Sequence, residues 1–267
     1  MPLEDLKRSY DALKADGVTH VNLQGGEPTM YEELPELIEY GHAIGIREQV
    51  VVSNGRRFKD EAFTQRLLAA RPKTVVLSIF GADAAVHDAA LGVRGAFDDL
   101  VAGVKQLVRH APPGARTATS LMAQFTLYSG NFRELPAMLR FWHAQGLRDF
   151  TVRLLRETDN TKSGPGPGGS WFFDLAALKP YLLESLAFSA GHRDVFLTFS
   201  EVFYCLLDDA HLAYVLGDLA SNPNLRGAKV QLTKHFDRPL DDRTRKAGGE
   251  ACATCDLAES CIKPEDQ

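Results

Sequence analysis

Hydrophobic positions along the first 155 residues switch repeatedly between a helical and an extended period. Leu3, Leu6, Tyr10 and Leu13 recur every three or four residues and predict an opening helix, with Gly17 placed to cap it. Residues 18–24 read as a strand and end in the turn Gly25-Gly26-Glu27-Pro28. Pro28 suits the first turn of a following helix, which runs through Leu34, Leu37, Ile38 and Ile44 to Gly45. A strand over 48–53 then meets the turn Asn54-Gly55, and a helix over 61–70 leads to a strand over 74–79. After Gly81 the pattern predicts an irregular stretch, then a helix over 97–109 that Pro112-Pro113-Gly114 breaks. A strand over 119–126, a helix over 132–145 and a strand over 150–155 complete the series.

Strands alternating with amphipathic helices predict an α/β fold with a parallel sheet. A doubly wound sheet and a barrel or partial barrel both fit, and both place ligands at the carboxyl ends of the strands. The first element is a helix rather than a strand, as if the first strand of a β-α barrel and the loop after it were missing. The Gly/Pro-rich segment 164–170 separates this rhythm from a different region. There a helix over 175–188, a strand over 195–200 and a loop-rich tail are predicted. The expected organisation is a core over 1–156, a connector over 157–170 and a small cysteine-containing C-terminal domain over 171–267.

Composition narrows the function classes. The chain has 267 residues, 45% hydrophobic and 24% charged, enough to bury a real core. A net charge of -5 without a long basic run argues against nucleic acid or an anionic membrane as the main partner. No apolar run approaches the roughly 18–20 residues that span a bilayer, and the acidic N-terminus is no signal peptide. The expected compartment is the cytoplasm. Three of the four cysteines, Cys252, Cys255 and Cys261, lie in one ten-residue window with C-x2-C-x5-C spacing, and the fourth is Cys205. In a reducing compartment such clustering favours a metal or iron–sulfur site over disulfides.

Several short motifs can carry chemistry. Gly25 and Gly26 lack β-carbons, so a ligand can approach their backbone, and Glu27 can accept from an ammonium group. A tight turn with a helix-entry proline accounts for the same residues without function. Ser53-Asn54-Gly55 is a common turn sequence, and Ser78, near the end of the third strand, reads alone as a core or edge serine. His87-Asp88 is placed in a loop and read mainly as a structural pair. The other histidines show no ligand spacing, and Phe141 and Trp142 share helical spacing with core positions Leu135, Met138 and Leu139. Arg153 and Arg156, at the end of a strand, can point toward an anionic substrate.

Taken in order, Gly25-Gly26-Glu27-Pro28-Thr29, Ser53-Asn54-Gly55, Leu77-Ser78-Ile79-Phe80-Gly81, His87-Asp88 and Gly95-Ala96-Phe97 resemble the radical S-adenosylmethionine (radical SAM) family. The resemblance covers about residues 1–155. It implies a partial TIM-like barrel of six β-α units, (βα)6, here without its first strand. It implies S-adenosyl-L-methionine as cofactor, with Gly25, Gly26, Glu27 and Pro28 in the turn that holds the methionine amino group. Ser53 and Asn54 match the turn near the cofactor, Ser78 a position facing its ribose or carboxylate, and Val152 a strand that flanks the adenine.

The family also places a CxxxCxxC loop before this turn, whose three thiolates bind a [4Fe–4S] cluster with an open iron that SAM chelates. Residues 1–24 contain no cysteine. The expectation is a piece of a longer enzyme, inactive alone, that cleaves SAM once the cluster segment is present. A naturally shortened, catalytically inactive binding or scaffold protein is the other reading. At the C-terminus, Cys252, Cys255 and Cys261 resemble a SPASM- or twitch-type auxiliary iron–sulfur tail. Tyr204-Cys205-Leu206-Leu207 resembles the element preceding such tails, with Phe203 where proline is frequent. Four thiolates suit an auxiliary [4Fe–4S] cluster and equally a structural zinc site, in which case the chain is an unrelated α/β enzyme. The resemblance further implies a peptide or small-molecule substrate and an electron donor such as a flavodoxin or ferredoxin.

Overall fold

Every second residue is buried in the strands over 48–53 and 120–127, whereas the strand over 74–79 buries Val75, Val76 and Leu77 in a run. In the computed structural model, which describes residues 1–113, 119–155, 171, 173 and 175–200, six strands form one sheet. They are β1 (His20–Leu23), β2 (Glu48–Ser53), β3 (Thr74–Ile79), β4 (Ser120–Leu127), β5 (Asp149–Leu154) and β6 (Phe196–Ser200). Their order in the sheet is their order in the chain, β1 to β6. The β1/β2, β2/β3 and β3/β4 pairs run parallel. A doubly wound sheet reverses its strand order at a switch point and buries both faces. This sheet keeps chain order without a reversal, so the structure settles on the unclosed, partial-barrel form of the α/β class.

The helices are α1 (Leu3–Ala15), α2 (Leu34–Ala43), α3 (Glu61–Ala69), α4 (Ala84–Leu91), α5 (Ala96–His110), α6 (Leu135–Ala144) and α7 (Lys179–Gly191). The predicted helix over 175–188 opens as a 3-10 turn, Leu175–Leu178, before α7 begins. The stretch after Gly81 is not irregular. It contains α4, whose start is fixed by the Asp83 carboxylate accepting from the Val86 backbone N–H at 2.9 Å. Its short, alanine-rich sequence has no strong apolar stripe, so periodicity misses it.

The chain divides into two compact units. The first comprises Met1–Phe125 and Ala137–Phe150, and the second comprises Thr126–Pro136 and the chain from Thr151 onward. In the first, Tyr10, Leu37 and Ile46 form a cluster against Leu3, Leu6, Val21 and Leu23. Val51, Val75, Leu77, Ile79, Ala123 and Phe125 are fully buried on the same, helix-covered face. Trp142 of α6 donates its indole N–H to the Gly81 carbonyl at 3.0 Å, and its ring meets Phe97 of α5 edge-on at 5.8 Å. Burial of these large side chains, about 1.5–3 kcal/mol each before entropy losses, holds the helix layer on the sheet. In the second unit the rings of Phe132 and Phe173 stack 4.1 Å apart and Tyr128 packs against Trp171.

Among the described residues no helix is long and apolar enough to cross a membrane. The connector 157–170, Arg156 and the four cysteines lie outside the described residues.

Candidate functional site

Gly25 and Gly26 follow β1 with φ of 95° and 55°, in the left-handed region that favours glycine. A β-carbon on either would meet nothing within 4 Å, so the backbone of this turn borders open space. The next residue folds back. Glu27 caps the 3-10 turn Pro28–Met30, its Oε1 accepting from the Thr29 N–H at 3.1 Å and the Thr29 hydroxyl at 2.6 Å. The same oxygen accepts from the Ser53 hydroxyl at 2.7 Å, and Oε2 accepts from the Asn54 N–H at 2.7 Å. Ser53 Oγ in turn accepts from the Gly55 N–H at 3.0 Å.

One carboxylate thus ties the turn after β1 to the turn after β2. Charge-assisted bonds of this kind are roughly twice as strong as neutral ones. With three donors on Oε1 and one on Oε2, only Oε2 keeps capacity for a further donor such as an ammonium group. Glu27 is therefore first of all the part that sets the geometry of both turns, a role that sequence reasoning did not assign to it. Pro28 starts the 3-10 turn, and α2 begins only at Leu34.

The turn after β2 is held from the helix layer as well. Gly55 has φ 78°, and a β-carbon there would come within 2.3 Å of Leu100 of α5. Gly103 of α5 lies so close that its missing β-carbon would fall 2.3 Å from the Gly55 carbonyl. Asn54 Oδ1 accepts from the Arg56 N–H at 3.0 Å.

Register places Ser78 relative to these turns. Ser53 pairs with Leu77, and Ser78 pairs with Gln124. One step beyond Ser53, Asn54 is level with Ser78, so Asn54, Ser78 and Gln124 form a row across three adjacent strands at their carboxyl ends. All three are half-buried. They alternate with the residues packed under the helices, so their side chains belong to the opposite, open face of the sheet. The side chains of Ser78 and Gln124 make no hydrogen bond among the described residues. One level down on that face lie Val52, Val76 and Met122, an apolar floor under a polar row. Gln124 was not singled out from sequence. The signal was there, since a lone amide inside an alternating strand invites the question of what it hydrogen-bonds.

Val152 is fully buried, and Phe150, two residues earlier on the same face of β5, packs its ring against Phe125 at 5.6 Å. The β5 positions turned the other way are Thr151 and Arg153, both half-buried. Any contact of Val152 with a ligand has to come from its backbone.

His87 and Asp88 are in a helix rather than a loop. His87 is fully buried on α4, with Nδ1 accepting from the Phe80 N–H at 3.3 Å and its ring against Phe80 and Phe97. Burial depresses its pKa from 6.5 to about 4 despite the neighbouring Asp88, and Arg56 pushes in the same direction as burial. Asp88 accepts from the Phe97 N–H at 2.8 Å and the Gly95 N–H at 2.6 Å, which lowers its pKa. The pair braces the end of β3 on one side and the start of α5 on the other.

These residues fit one of the two groups that the sequence resemblance implies. The open glycine turn, the unfilled capacity of Glu27 Oε2 and the polar side chains of Ser78 and Gln124 suit an extended polar ligand such as SAM. The cluster whose open iron SAM chelates does not fit the described residues, because residues 1–204 contain no cysteine. No cluster of three or more metal-ligating side chains occurs among the described residues either.

Residues 1–123 match the Radical SAM superfamily. Over 104 residues the chain is 33% identical to the AdoMet-dependent heme synthase of Methanosarcina barkeri, a match covering 39% of this chain and 29% of that protein. Over 106 residues it is 34% identical to the mycofactocin maturase MftC of Mycolicibacterium smegmatis, covering 39% and 26%. The chain therefore spans less than a third of the length of these curated relatives. In fold it is similar to Streptococcus suis SuiB bound to precursor peptide SuiA, with a TM-score of 0.58 at 19% identity, covering 76% of this chain and 43% of that one.

Proposed function

We propose that this chain, which belongs to the radical SAM superfamily by its residues 1–123, binds S-adenosylmethionine across the carboxyl ends of β1 to β4. On this reading it serves an enzyme that cleaves SAM reductively to a 5′-deoxyadenosyl radical, which then takes hydrogen from a substrate. The observation that carries it is the Glu27 clamp. One carboxylate fixes the glycine turn after β1 and the Ser53-Asn54 turn after β2 in a single arrangement beside an open face. Gly25 and Gly26 then offer backbone to the methionine end of SAM, Glu27 Oε2 its remaining lone pair to the ammonium, and Asn54 and Ser78 their polar groups to the middle of the cofactor. The apolar floor of Val52, Val76 and Met122 keeps water from beneath the ligand. The electron for cleavage comes from an iron–sulfur cluster in this superfamily, and its thiolate ligands are not among the described residues.

A peptide substrate is the favoured class, supported by the likeness in fold to SuiB, which is solved with a precursor peptide. A small molecule is the alternative, supported by the identity to a heme synthase. Cys205, Cys252, Cys255 and Cys261 form a SPASM-like auxiliary [4Fe–4S] site on this reading, with zinc as the alternative occupant. The enzyme works in the cytoplasm and draws electrons from a flavodoxin or ferredoxin.

The test is anaerobic isolation of the natural protein, reconstitution with iron and sulfide, reduction with dithionite, and chromatography for 5′-deoxyadenosine. Formation of that product, abolished by Glu27→Gln, is the expected result. Its absence from a reconstituted, reduced protein overturns the proposal.

A further inference from the structure

Just beyond the Asn54-Gly55 turn, the 3-10 turn Arg56–Lys59 carries a side chain, Arg57, that neither the motifs nor the reading above has used. Its guanidinium reaches back to the turn after β1. Nη1 donates to the Thr29 carbonyl at 2.8 Å, and Nη2 donates to the Glu32 carboxylate at 2.5 Å. The guanidinium carbon lies over the Phe63 ring of α3, 4.3 Å from its centroid. Three partners use three parts of one rigid planar group, which a lysine ammonium cannot reproduce. The Arg57 side chain is 21% exposed and that of Glu32 67%, so solvent weakens the ion pair and the bond to Thr29 is the firmer restraint. Thr29 is fully buried, and no backbone N–H bonds its carbonyl among the described residues. Arg57 supplies the donor that this buried carbonyl requires.

Thr29 is also the residue that orients Glu27, through its N–H and its hydroxyl on Glu27 Oε1. The turns after β1 and β2 are thus clasped in two opposite senses. Glu27, from the first turn, accepts from Ser53 and Asn54 of the second. Arg57, beside the second turn, donates to Thr29 of the first. A single tie fixes a distance but leaves rotation about it, and the second tie removes that rotation. What would otherwise rotate is the segment from Gly25 to Thr29, and with it the direction of Glu27 Oε2, the oxygen with capacity left. Hydrogen bonds weaken steeply with angle, so Arg57 governs the amino-acid end of the ligand without touching it.

We infer that Arg57 is a positioning residue that holds the glycine turn and Glu27 for the methionine end of SAM. This inference rests on the SAM-binding reading above.

Isothermal titration of the 267-residue chain with SAM and with 5′-methylthioadenosine, which lacks the amino-acid end, tests it. Arg57→Met keeps an apolar stem for Phe63 and removes the donors. It binds SAM about tenfold more weakly, the effect of one charge-assisted hydrogen bond, and binds 5′-methylthioadenosine as the wild type does. Arg57→Lys, which keeps a donor for the Thr29 carbonyl, recovers part of the SAM affinity. Thermal melts of each variant confirm that the fold is retained, and Arg57→Gln provides a second variant should Arg57→Met unfold. In a folded variant, equal weakening of both ligands makes Arg57 a general support of the fold and overturns the inference. Unchanged SAM affinity overturns it too, and either result leaves SAM binding standing. Failure of the wild-type chain to bind SAM and 5′-methylthioadenosine overturns the cofactor reading and this inference together.

Discussion

Glu27 and His87 lie near the carboxyl ends of the strands, and both are engaged by the protein itself. Glu27 joins two turns through four donors, so it shapes the ligand site even where it does not touch a ligand. His87 holds Phe80 in place as a neutral ring. Its depressed pKa, about 4 against 6.5 in an unfolded chain, makes stability depend on pH. Between those values the unfolded state binds a proton that the folded state refuses, so unfolding is favoured as pH falls. The contribution is fully present above pH 6.5, declines through the interval and levels off below about 4. Urea titrations across this range should show a loss on the order of 2–3 kcal/mol. His87→Leu, less stable at neutral pH, should show a flatter dependence, and an equal slope in both proteins sinks the assignment.

At the scale of elements, the placement of the Ser53-Asn54-Gly55 turn depends on α5. The helix approaches the turn until the missing β-carbon of Gly103 would overlap the Gly55 carbonyl and crowd Phe58. Gly103→Ala raises helix propensity by roughly 1 kcal/mol, yet it should destabilise the protein by about 1–3 kcal/mol, because the overlap is with backbone and cannot be relieved by a rotamer change. It should also weaken SAM binding, since Asn54 moves with the turn. A variant as stable as the wild type in chemical denaturation, with unaltered SAM affinity, would show that α5 yields freely. Helix α4 teaches the complementary lesson. Its Asp83 cap was visible in the sequence, but without an apolar stripe nothing called for a helix there. What stabilises α4 is tertiary, through buried His87 and the Asp88 carboxylate on the first turn of α5.

For the molecule as a whole, the four cysteines decide which chemistry the C-terminal region supports. Metal analysis of anaerobically purified chain should find iron together with acid-labile sulfide, and Cys252→Ala should lose both. Stoichiometric zinc without sulfide would replace the auxiliary-cluster reading with a structural zinc site. The architecture itself was only half legible. Alternation of strands and helices settled the α/β class and the parallel pairing. A doubly wound sheet and a partial barrel remained equal, because both are built from the same β-α units.

The turn motifs Gly25-Gly26-Glu27-Pro28 and Ser53-Asn54-Gly55 were recognisable in the chain because backbone geometry there demands particular residue types, and such demands are local. Glycine at positive φ and proline at the entry of a turn are written at the positions that need them. The succession of elements was legible for the same reason, since each element's period depends only on its own face toward the core. The strand order, the tie from Glu27 to both turns, the burial of Val152 and the level at which Asn54, Ser78 and Gln124 line up were decided by tertiary structure alone. Each depends on register between strands far apart in sequence. A shift of one residue would turn Gln124 from the open face to the packed one, and nothing local to residue 124 specifies which of the two it faces.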